Sequence, residues 1–329
     1  MPNWSSPNAC GRISTPTPCG PRFRNITGGT AVLALSADRA AAEPTIASPA
    51  AADGTGGPRE VLVRTLSAAG LSGLLAGCLY FGWPYFHLLI LGAAGLMAWE
   101  WAGLCGRGSA GRGSAGGAGL ALMAVCAAVV ALASFAMPGE ASLVLILGAP
   151  AVALLARPGR ASDAVWLGAG ALYVGGGAWA AVALFDLFRD GAWAVAWIFW
   201  VVALTDIGAF LAGRALGGAK LAPRLSPNKT WSGFFGGLAF GALAGLLFAL
   251  AVDRPAAGFH IAAALVASLV AQGGDLFESL LKRRFGAKDS GKSIPGHGGL
   301  LDRVDGVVPV LILVAALASL RGGVETPWL

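Results

Sequence analysis

Charged residues are scarce in this chain, at 12% of 329 residues, whereas 56% are hydrophobic. The hydrophobic residues recur in runs near the roughly 20 residues that a helix needs to cross a bilayer, and no separate soluble domain remains between them. The pattern predicts an all-α, polytopic integral membrane protein with about nine transmembrane helices. The approximate spans are 61–81, 84–104, 118–137, 141–156, 164–184, 191–213, 231–252, 258–281 and 304–320.

The cysteines of this chain do not indicate a functional site. The chain has five cysteines, an odd number with irregular spacing that matches neither a disulfide framework nor a metal site. We expect those in or beside apolar runs to act as small hydrophobic side chains. The five are Cys10, Cys19, Cys78, Cys105 and Cys126.

The first 58 residues lack helical periodicity and are rich in Ser, Thr, Pro, Ala and Gly. Such a segment buries too little apolar surface to offset the entropy of ordering. It also lacks the compact apolar stretch of a signal peptide. The sequence therefore predicts a disordered tail over 1–58, or a misassigned start codon, followed by a transmembrane domain over 59–329.

Lysine and arginine are distributed unevenly between the two sides of the predicted membrane domain. The loops after the second, fourth, sixth and eighth spans carry most of them, whereas the opposite side has only Arg189, Arg254 and Arg321. Because basic loops stay in the cytosol, we expect the N-terminus inside and the C-terminus outside. The net charge of +6 thus reflects topology. We expect no nucleic-acid partner, since these short loops lack interleaved aromatic residues.

Charge is concentrated in residues 279–305, at the edge of the eighth and ninth spans. The bases of this region are Lys282, Arg283, Arg284, Lys288, Lys292 and Arg303, and the nearby acids are Asp275, Glu278, Asp289, Asp302 and Asp305. Because the bases outnumber the acids, we expect room for an anion. Polyanionic phosphates held by cations and by one or two metal ions explain this pattern. A structural network of ion pairs between helices is the alternative.

Four acids lie in or at the ends of apolar spans: Glu100, Asp206, Asp275 and Glu278. A charged side chain at the centre of a membrane helix costs about 2.5–3.5 kcal/mol, so such residues are functional candidates. Asp275, Glu278 and Lys282 have the spacing of one helix face. Ser279 shares this face, which we expect to look into a cavity.

Glu100 has two interpretations of equal weight. It follows the second span and stands between Trp99 and Trp101. Such flanking aromatic residues are typical of a membrane interface. The residue is therefore either an interfacial anchor or a catalytic acid.

A second polar cluster follows the sixth span and contains Asp206, Arg214 and the segment Ser226-Pro-Asn-Lys-Thr-Trp-Ser-Gly233. Thr230 or Ser226 can cap the next helix. A helix start beside Lys229 is an anion site, or only a contact for a lipid headgroup.

Small residues recur every fourth position in the seventh span, at Gly233, Gly237, Gly241, Gly245 and Ala249. This stripe favours close helix packing, with a gap for a lipid chain as the alternative.

The turn Gly296-His297-Gly298-Gly299 would let the backbone approach a ligand closely. His297 is the histidine most typical of a functional site, as a phosphate donor, a proton carrier or a turn-stabilising residue. We expect His87 and His260 to form local hydrogen bonds.

Together these motifs resemble the phosphatidate cytidylyltransferase family, whose members are also called CDP-diacylglycerol synthases. The resemblance covers about 61–320, including the DxGAF, GR and SPxKTW elements; Ser232 departs from it, where members often carry Glu or Gln. Its signature is met at Ser279, Lys282, Arg283, Lys288, Asp289, Gly291, Ile294, Pro295, His297, Gly298, Gly299, Asp302, Arg303 and Asp305.

The resemblance implies transfer of CMP from CTP to phosphatidate, at an active site facing the cytosol in the cell inner membrane. It implies Mg²⁺, with a second cation admitted, at Asp275 and Asp302. Phosphates would be held by Lys229, Lys282, Lys288 and Arg303, and the nucleotide side shaped by Ser226, Asp289, His297 and Asp305. The expected partners are CTP and membrane phosphatidate, with a homodimer as a candidate assembly. A transporter and a CTP-dependent enzyme acting on another lipid are the alternatives.

Overall fold

The computed structural model describes residues 58–106, 117–135, 137–155, 161–187, 190–251, 257–291, 293–294 and 298–320. These ranges include nearly all of each predicted span. The predicted tail over 1–58 lies outside the described residues except for its last residue. His297 also lies outside them.

Helices dominate the described residues. They are α1 (Pro58–Phe81), α2 (Tyr85–Gly106), α3 (Gly117–Ser134), α4 (Pro138–Leu155), α5 (Ala161–Gly170), α6 (Gly176–Leu187), α7 (Gly191–Leu216), α8 (Trp231–Ala251), α9 (Ala257–Arg284), α10 (Leu301–Val304) and α11 (Val307–Leu320). A single π-helical turn, Ala171–Gly175, joins α5 to α6 without leaving helical backbone angles.

The chain is an all-α membrane protein. Five helical segments within the described residues are long and apolar enough to cross a bilayer: Tyr85–Cys105, Ala164–Asp186, Gly191–Leu216, Trp231–Ala251 and Ala257–Arg284. They confirm five of the predicted spans. The other four fall on shorter apolar helices, Ala69–Phe81, Gly119–Ser134, Gly139–Leu155 and Val307–Leu320, so nine crossings stay a prediction.

A short antiparallel hairpin links α7 to α8. Its strands are β1 (Lys220–Ala222) and β2 (Ser226–Thr230). The hydroxyl oxygen of Thr230 accepts a hydrogen bond from the backbone N–H of Gly233 at 3.1 Å, which caps the start of α8. The sequence-based cap at Thr230 is thus confirmed, whereas Ser226 lies in β2.

The core consists of two adjoining apolar clusters. Trp197 of α7 and Val310 of α11 are buried in the first, and Trp101 of α2 and Leu281 of α9 in the second. Cys105 and Cys126 belong to the second cluster. These two cysteines therefore behave as the small hydrophobic side chains that the sequence predicted.

The small-residue stripe of α8 is buried against its neighbours. A Cβ atom on Gly233 would lie 2.9 Å from the Ala209 carbonyl oxygen of α7, and one on Gly241 would lie 2.7 Å from Ser268 of α9. Real Cβ atoms do not approach other atoms so closely. The stripe therefore serves helix packing, and the alternative of a gap for a lipid chain is wrong.

Close packing also fixes α9 against the residues that follow α10. A Cβ atom on Gly274 would overlap the carbonyl oxygen of Asp305 and lie 2.6 Å from Pro309. The glycine thus lets these segments meet beside Asp275. As a result, polar residues from α7, the hairpin, α9 and α10 converge at one end of the helix bundle.

Candidate functional site

A cavity of about 800 Å³ lies where these segments converge. Its polar lining comes from α7, β2, α9, α10 and the segments next to α10. The charged and amide side chains are Asp206, Arg214, Asn228, Lys229, Gln272, Asp275, Glu278, Lys282, Asp289, Asp302, Arg303 and Asp305.

Acids outnumber bases in this lining. Six carboxyl groups face four basic groups, those of Arg214, Lys229, Lys282 and Arg303. This corrects the expectation of an excess of bases, because Arg283, Arg284 and Lys288 do not line the cavity and Lys292 lies outside the described residues. Two polyanions would meet net negative charge here unless further cations entered with them.

Lys229 and Asp275 form an ion pair across the cavity wall. The Nζ atom of Lys229 lies 2.6 Å from Oδ2 of Asp275. Lys229 comes from β2 and Asp275 from α9, so the pair ties the hairpin to the helix bundle. The Asp275 side chain is 40% exposed, which leaves it accessible to a ligand in the cavity.

Lys282 joins two carboxylates. Its Nζ atom donates to Glu278 Oε2 at 2.9 Å within α9 and to Asp302 Oδ1 at 3.0 Å on α10. The ammonium group is therefore shared between two helices.

Asp302 organises the loop before α10. Its Oδ2 accepts a hydrogen bond from Gly299 N–H at 2.9 Å, and both of its carboxylate oxygens accept from Ser290 N–H, at 3.1 and 3.2 Å. Burial alone would raise the pKa of Asp302. Hydrogen bonding with Glu278, with Gly299 N–H and with Lys282 instead lowers that pKa to about 2, so the carboxylate is ionised at neutral pH.

Glu278 is the most buried acid of the cavity, with 2% exposure. Its Oε1 atom is buried and receives no hydrogen bond from any described residue. The carboxyl groups of Asp302 and Asp305 interact with it electrostatically. Three carboxyl groups in such proximity require a shared proton or a nearby cation, and the Lys282 ammonium group supplies one such cation to Glu278 and Asp302.

The carboxylates of Asp206, Asp275 and Asp305 also interact electrostatically with one another. Among the described residues, however, no three His, Cys, Asp or Glu side chains are arranged to hold a metal ion by themselves. Mg²⁺ commonly binds through one or two carboxylates together with substrate phosphates and water. The donors fit that open type of site rather than a closed protein cage.

Glu100 lies behind the cavity and is 3% exposed. Its carboxylate accepts hydrogen bonds from Leu300 N–H at 2.9 Å, Leu301 N–H at 2.8 Å and the Ser293 hydroxyl at 2.5 Å. The interfacial-anchor interpretation is therefore wrong. Glu100 holds the segment that leads into α10, and through it the position of Asp302.

The carboxylates of Glu100 and Asp302 explain why glycine occupies positions 298 and 299. Gly298 has a φ of 84°, and its Cβ would lie 3.0 Å from Asp302 Oδ2. A Cβ on Gly299 would lie 2.8 Å from Glu100 Oε2 and would overlap the Ser290 hydroxyl. The groups that approach this backbone are thus carboxylates of the protein itself, whereas the sequence suggested a ligand.

The structure brings most of the sequence-predicted site residues together. Those that line the cavity are Lys229, Asp275, Lys282, Asp289, Asp302, Arg303 and Asp305. Ser226, Ser279 and Lys288 do not line it, and His297 lies outside the described residues.

Sequence reasoning missed two roles. Glu100 carried a signal, since it is a single acid at the end of an apolar span, but its partners are 190 or more positions away. Its function as the support of a loop was therefore hidden. Glu278 was expected in the cavity, but its contact with two other acids depends on the approach of α10.

His87 forms a hydrogen bond outside the cavity, as expected for a histidine without a functional role. Its Nε2 atom lies 2.7 Å from Asp186 Oδ2, at the far end of the α5–α6 segment. The pair is separate from the cavity residues.

Comparison with known proteins places this geometry in context. A family model described as "Cytidylyltransferase family" matches residues 62–320. The chain is 55% identical over 130 residues to the phosphatidate cytidylyltransferase of Brucella suis. The aligned stretch covers 40% of this chain and 47% of the relative. The Staphylococcus saprophyticus protein of that name is 43% identical over 135 residues, or 41% of this chain and 52% of the relative. The one from Mycobacterium leprae is 42% identical over 134 residues, or 40% and 42%. The chain spans about half the length of the curated relatives it matches.

Proposed function

This chain belongs to the cytidylyltransferase family, and on that premise we propose that it transfers CMP from CTP to phosphatidate, giving CDP-diacylglycerol and pyrophosphate. The observation that carries the proposal is the cavity at the end of the bundle. It offers lysine and arginine for phosphates, and it has more acids than bases, which suits the entry of polyanions together with a divalent cation.

The reaction needs little proton transfer. A phosphate monoester has a second pKa near 6, so the phosphatidate oxygen is largely ionised at neutral pH. That oxygen attacks the α-phosphorus of CTP. A new P–O bond forms to the lipid phosphate, the bond between the α-phosphorus and the bridging oxygen breaks, and pyrophosphate leaves. The main tasks of the protein are to position two polyanions and to shield their charge.

Lys229, Lys282 and Arg303 are the phosphate-binding groups that this proposal places in the cavity. Lys229 and Lys282 already contact carboxylates at 2.6 to 3.0 Å. When phosphates enter, each ammonium group would exchange a carboxylate for a phosphate oxygen. This exchange would leave Asp275 and Asp302 with free lone pairs.

Asp275 and Asp302 are the proposed ligands of Mg²⁺, and a second cation is part of the same proposal. The bound ion would neutralise negative charge on the phosphates. Asp275 suits this role because its side chain is 40% exposed and its ion pair is with Lys229, a group that phosphate can draw away. Asp302 accepts hydrogen bonds from three donors, Lys282, Ser290 N–H and Gly299 N–H, so its role requires release of one, and Lys282 is the partner able to move.

The remaining predicted residues are assigned to the nucleotide side. Asp289 and Asp305 line the cavity and are available for this role. Ser226 and Lys288 do not line the cavity, so Ser226 would act on the nucleotide, and Lys288 on a phosphate, only after a movement of the segments that carry them; His297 lies outside the described residues. Their roles stay predictions.

The finer topology also belongs to this proposal. Nine crossings would leave the N-terminus in the cytosol and the C-terminus on the opposite, non-cytosolic side of the cell inner membrane. The hairpin between α7 and α8 carries Lys220, Arg224 and Lys229, and α9 ends in Lys282-Arg283-Arg284. These basic groups favour a cytosolic location for this end of the bundle. CTP would then enter from the cytosol and phosphatidate from the inner leaflet. A homodimer remains a prediction.

Of the alternatives, family membership argues against a transporter. An enzyme that cytidylylates another lipid stays within the same family chemistry, because the cavity holds phosphates and does not by itself specify the lipid.

An assay on purified protein tests the proposal. The full chain in detergent is incubated with CTP labelled in its α-phosphate, dioleoyl-phosphatidate and MgCl₂. We expect label in CDP-diacylglycerol and release of one pyrophosphate per product. Product from an isoprenoid alcohol or an ether-linked archaeal-type lipid, with none from phosphatidate, would show that the acceptor is another lipid. Absence of CTP-dependent product with every acceptor would overturn the proposal.

A further inference from the structure

A second cavity, of about 300 Å³, lies beside the polar one. It is lined by α1, α2, α6, α7, α11, the residue before α10 and the end of α10. Its lining is apolar except for two side chains, those of Ser72 and Arg303. An apolar cavity with one cation at its edge has the polarity of a site for an anionic amphiphile.

The apolar cavity runs inward from the outer surface of the bundle. Leu71 and Leu74 on α1 form part of its lining and are 40% and 52% exposed. Ala178 of α6 and Val308 of α11 line it from the buried side, with 3% and 2% exposure. A chain that lies among membrane lipids can therefore enter from the α1 side and reach the core.

Arg303 belongs to the lining of both cavities. On the polar side it shares the lining with Asp302 and Asp305, and it interacts electrostatically with Asp206. On the apolar side it is next to Val304 and Val307. Arg303 therefore lies at the boundary between the charged cavity and the apolar one.

We propose that the apolar cavity binds an acyl chain of the lipid substrate, while Arg303 holds the phosphate of that lipid at the boundary. This inference rests on the proposed function, since it assigns a subsite to the same reaction. The lipid phosphate would lie on the polar side of Arg303, where CTP is expected. The acyl chain would extend past Val304 toward Met97 and Leu311. Because the acyl chain comes from surroundings as apolar as the cavity, the preference for this site would depend on close packing against the lining and on the phosphate contact with Arg303.

Ala93 offers a way to fill the cavity. It lies in the lining on α2, and Ala93→Phe would place a ring where the acyl chain is expected. Gly92 is the matched control, because it is exposed and a Cβ there meets no atom within 4 Å. Gly92→Phe adds the same ring on the same helix turn, outside the cavity.

The kinetic test compares two substrates in detergent. For Ala93→Phe we expect the KM for dioleoyl-phosphatidate to rise at least about tenfold. The KM for dibutyryl-phosphatidate should stay within about twofold of wild type, because its short chains bury little apolar surface. Gly92→Phe should change neither KM. An equal change for both substrates, or no change for either, would contradict an acyl-chain site.

A second measurement uses the wild-type chain and does not depend on folding of a variant. The probe is phosphatidate with a photoreactive diazirine at the end of one acyl chain, and its comparison is phosphatidylcholine with the same chain. We expect the phosphatidate probe to label peptides of α1, α2 and α11, near Leu75, Met97 or Leu311, and excess unlabelled phosphatidate to prevent this labelling. Equal labelling by both probes would identify a cavity filled by bulk lipid, and labelling elsewhere would place the chain elsewhere; either result overturns the inference.

The two proposals fail in different ways. Selective labelling of the cavity without CTP-dependent product would retain the lipid site and remove the proposed reaction. Product formation by wild type with unselective labelling would retain the reaction and remove the site.

Discussion

The carboxylate of Glu100 accepts a hydrogen bond from the backbone N–H of Leu301 at 2.8 Å, although the two residues are 201 positions apart. Leu301 is the first residue of α10, and Asp302 follows it. A buried acid on α2 thus determines where an acid of the cavity lies. This relationship makes Glu100 a positioning residue rather than a catalytic one.

Replacement of Glu100 should disturb the loop before α10. Glu100→Ala leaves the N–H groups of Leu300 and Leu301 buried without an acceptor, at a cost of about 1–3 kcal/mol for each. We expect a large loss of kcat with little change in membrane insertion, and a smaller loss for Glu100→Gln, which keeps one acceptor oxygen. Hydrogen exchange at Leu300 and Leu301 should accelerate in both variants.

The control for Glu100 is Glu140→Gln, since Glu140 is an exposed acid in the first turn of α4. It should leave both activity and exchange unchanged. Normal exchange at Leu300 and Leu301 in Glu100→Ala would show that these hydrogen bonds do not hold the loop.

Asp275→Asn and Asp302→Asn test the proposed metal ligands. Each removes a negative charge from the cavity, and we expect kcat to fall by about 10²-fold or more in each variant, by analogy with the loss of other groups that stabilise transition-state charge. Membrane insertion should be intact. The measurement is product formation from labelled CTP across a range of MgCl₂ concentrations, and we expect Asp275→Asn to need a higher MgCl₂ concentration for half-maximal activity.

Asp190→Asn serves as the matched change, because Asp190 stands at the opposite end of α7 and its side chain makes no capping hydrogen bond. It should retain wild-type turnover. Near-wild-type turnover in both Asp275→Asn and Asp302→Asn would remove the metal-ligand assignment.

Gly299→Ala should destabilise the loop. Its methyl group would overlap the Ser290 hydroxyl and approach Glu100 Oε2 within 2.8 Å. Overpacking of this kind costs about 1–3 kcal/mol. We therefore expect a lower Tm in detergent and reduced activity.

Gly273→Ala is the comparison for Gly299→Ala. A Cβ on Gly273, which is exposed on α9, meets no atom within 4 Å. This variant should keep or slightly raise the Tm. The steric explanation fails if the two glycine variants have the same Tm and activity.

Topology is testable with paired reporters. A fluorescent or phosphatase reporter fused after Gly218, beyond α7, should report a cytosolic location. The same reporters at the C-terminus should report a non-cytosolic one, because three predicted crossings, α8, α9 and α11, separate the fusion points. A cytosolic signal at the C-terminus would mean that the number of crossings differs from nine by one.

The sequence predicted the apolar helices well, since the length and hydrophobicity of a span are local properties of the chain. It also predicted the cap at Thr230 and the grouping of Asp275, Glu278 and Lys282, which depend on spacing within one helix or turn. Local spacing could not reveal that Glu100 supports Leu301, because that contact depends on how α2 packs against a distant loop. For the same reason the sequence analysis overestimated the number of basic side chains that line the cavity.

The order of residues along the chain thus determined a membrane-embedded helical protein with charged residues concentrated near 279–305, because both features are encoded over short distances. Packing of the helices decided which charges meet: it brought Asp206, Asp275 and Asp302 to one cavity, excluded Lys288 from its lining and placed Arg303 between a polar and an apolar cavity. Helix ends distant in sequence converge only when apolar surfaces and small-residue contacts fix their relative positions. The types of residue in the site were therefore evident from the sequence, whereas the balance of acids and bases that line it depended on the tertiary structure.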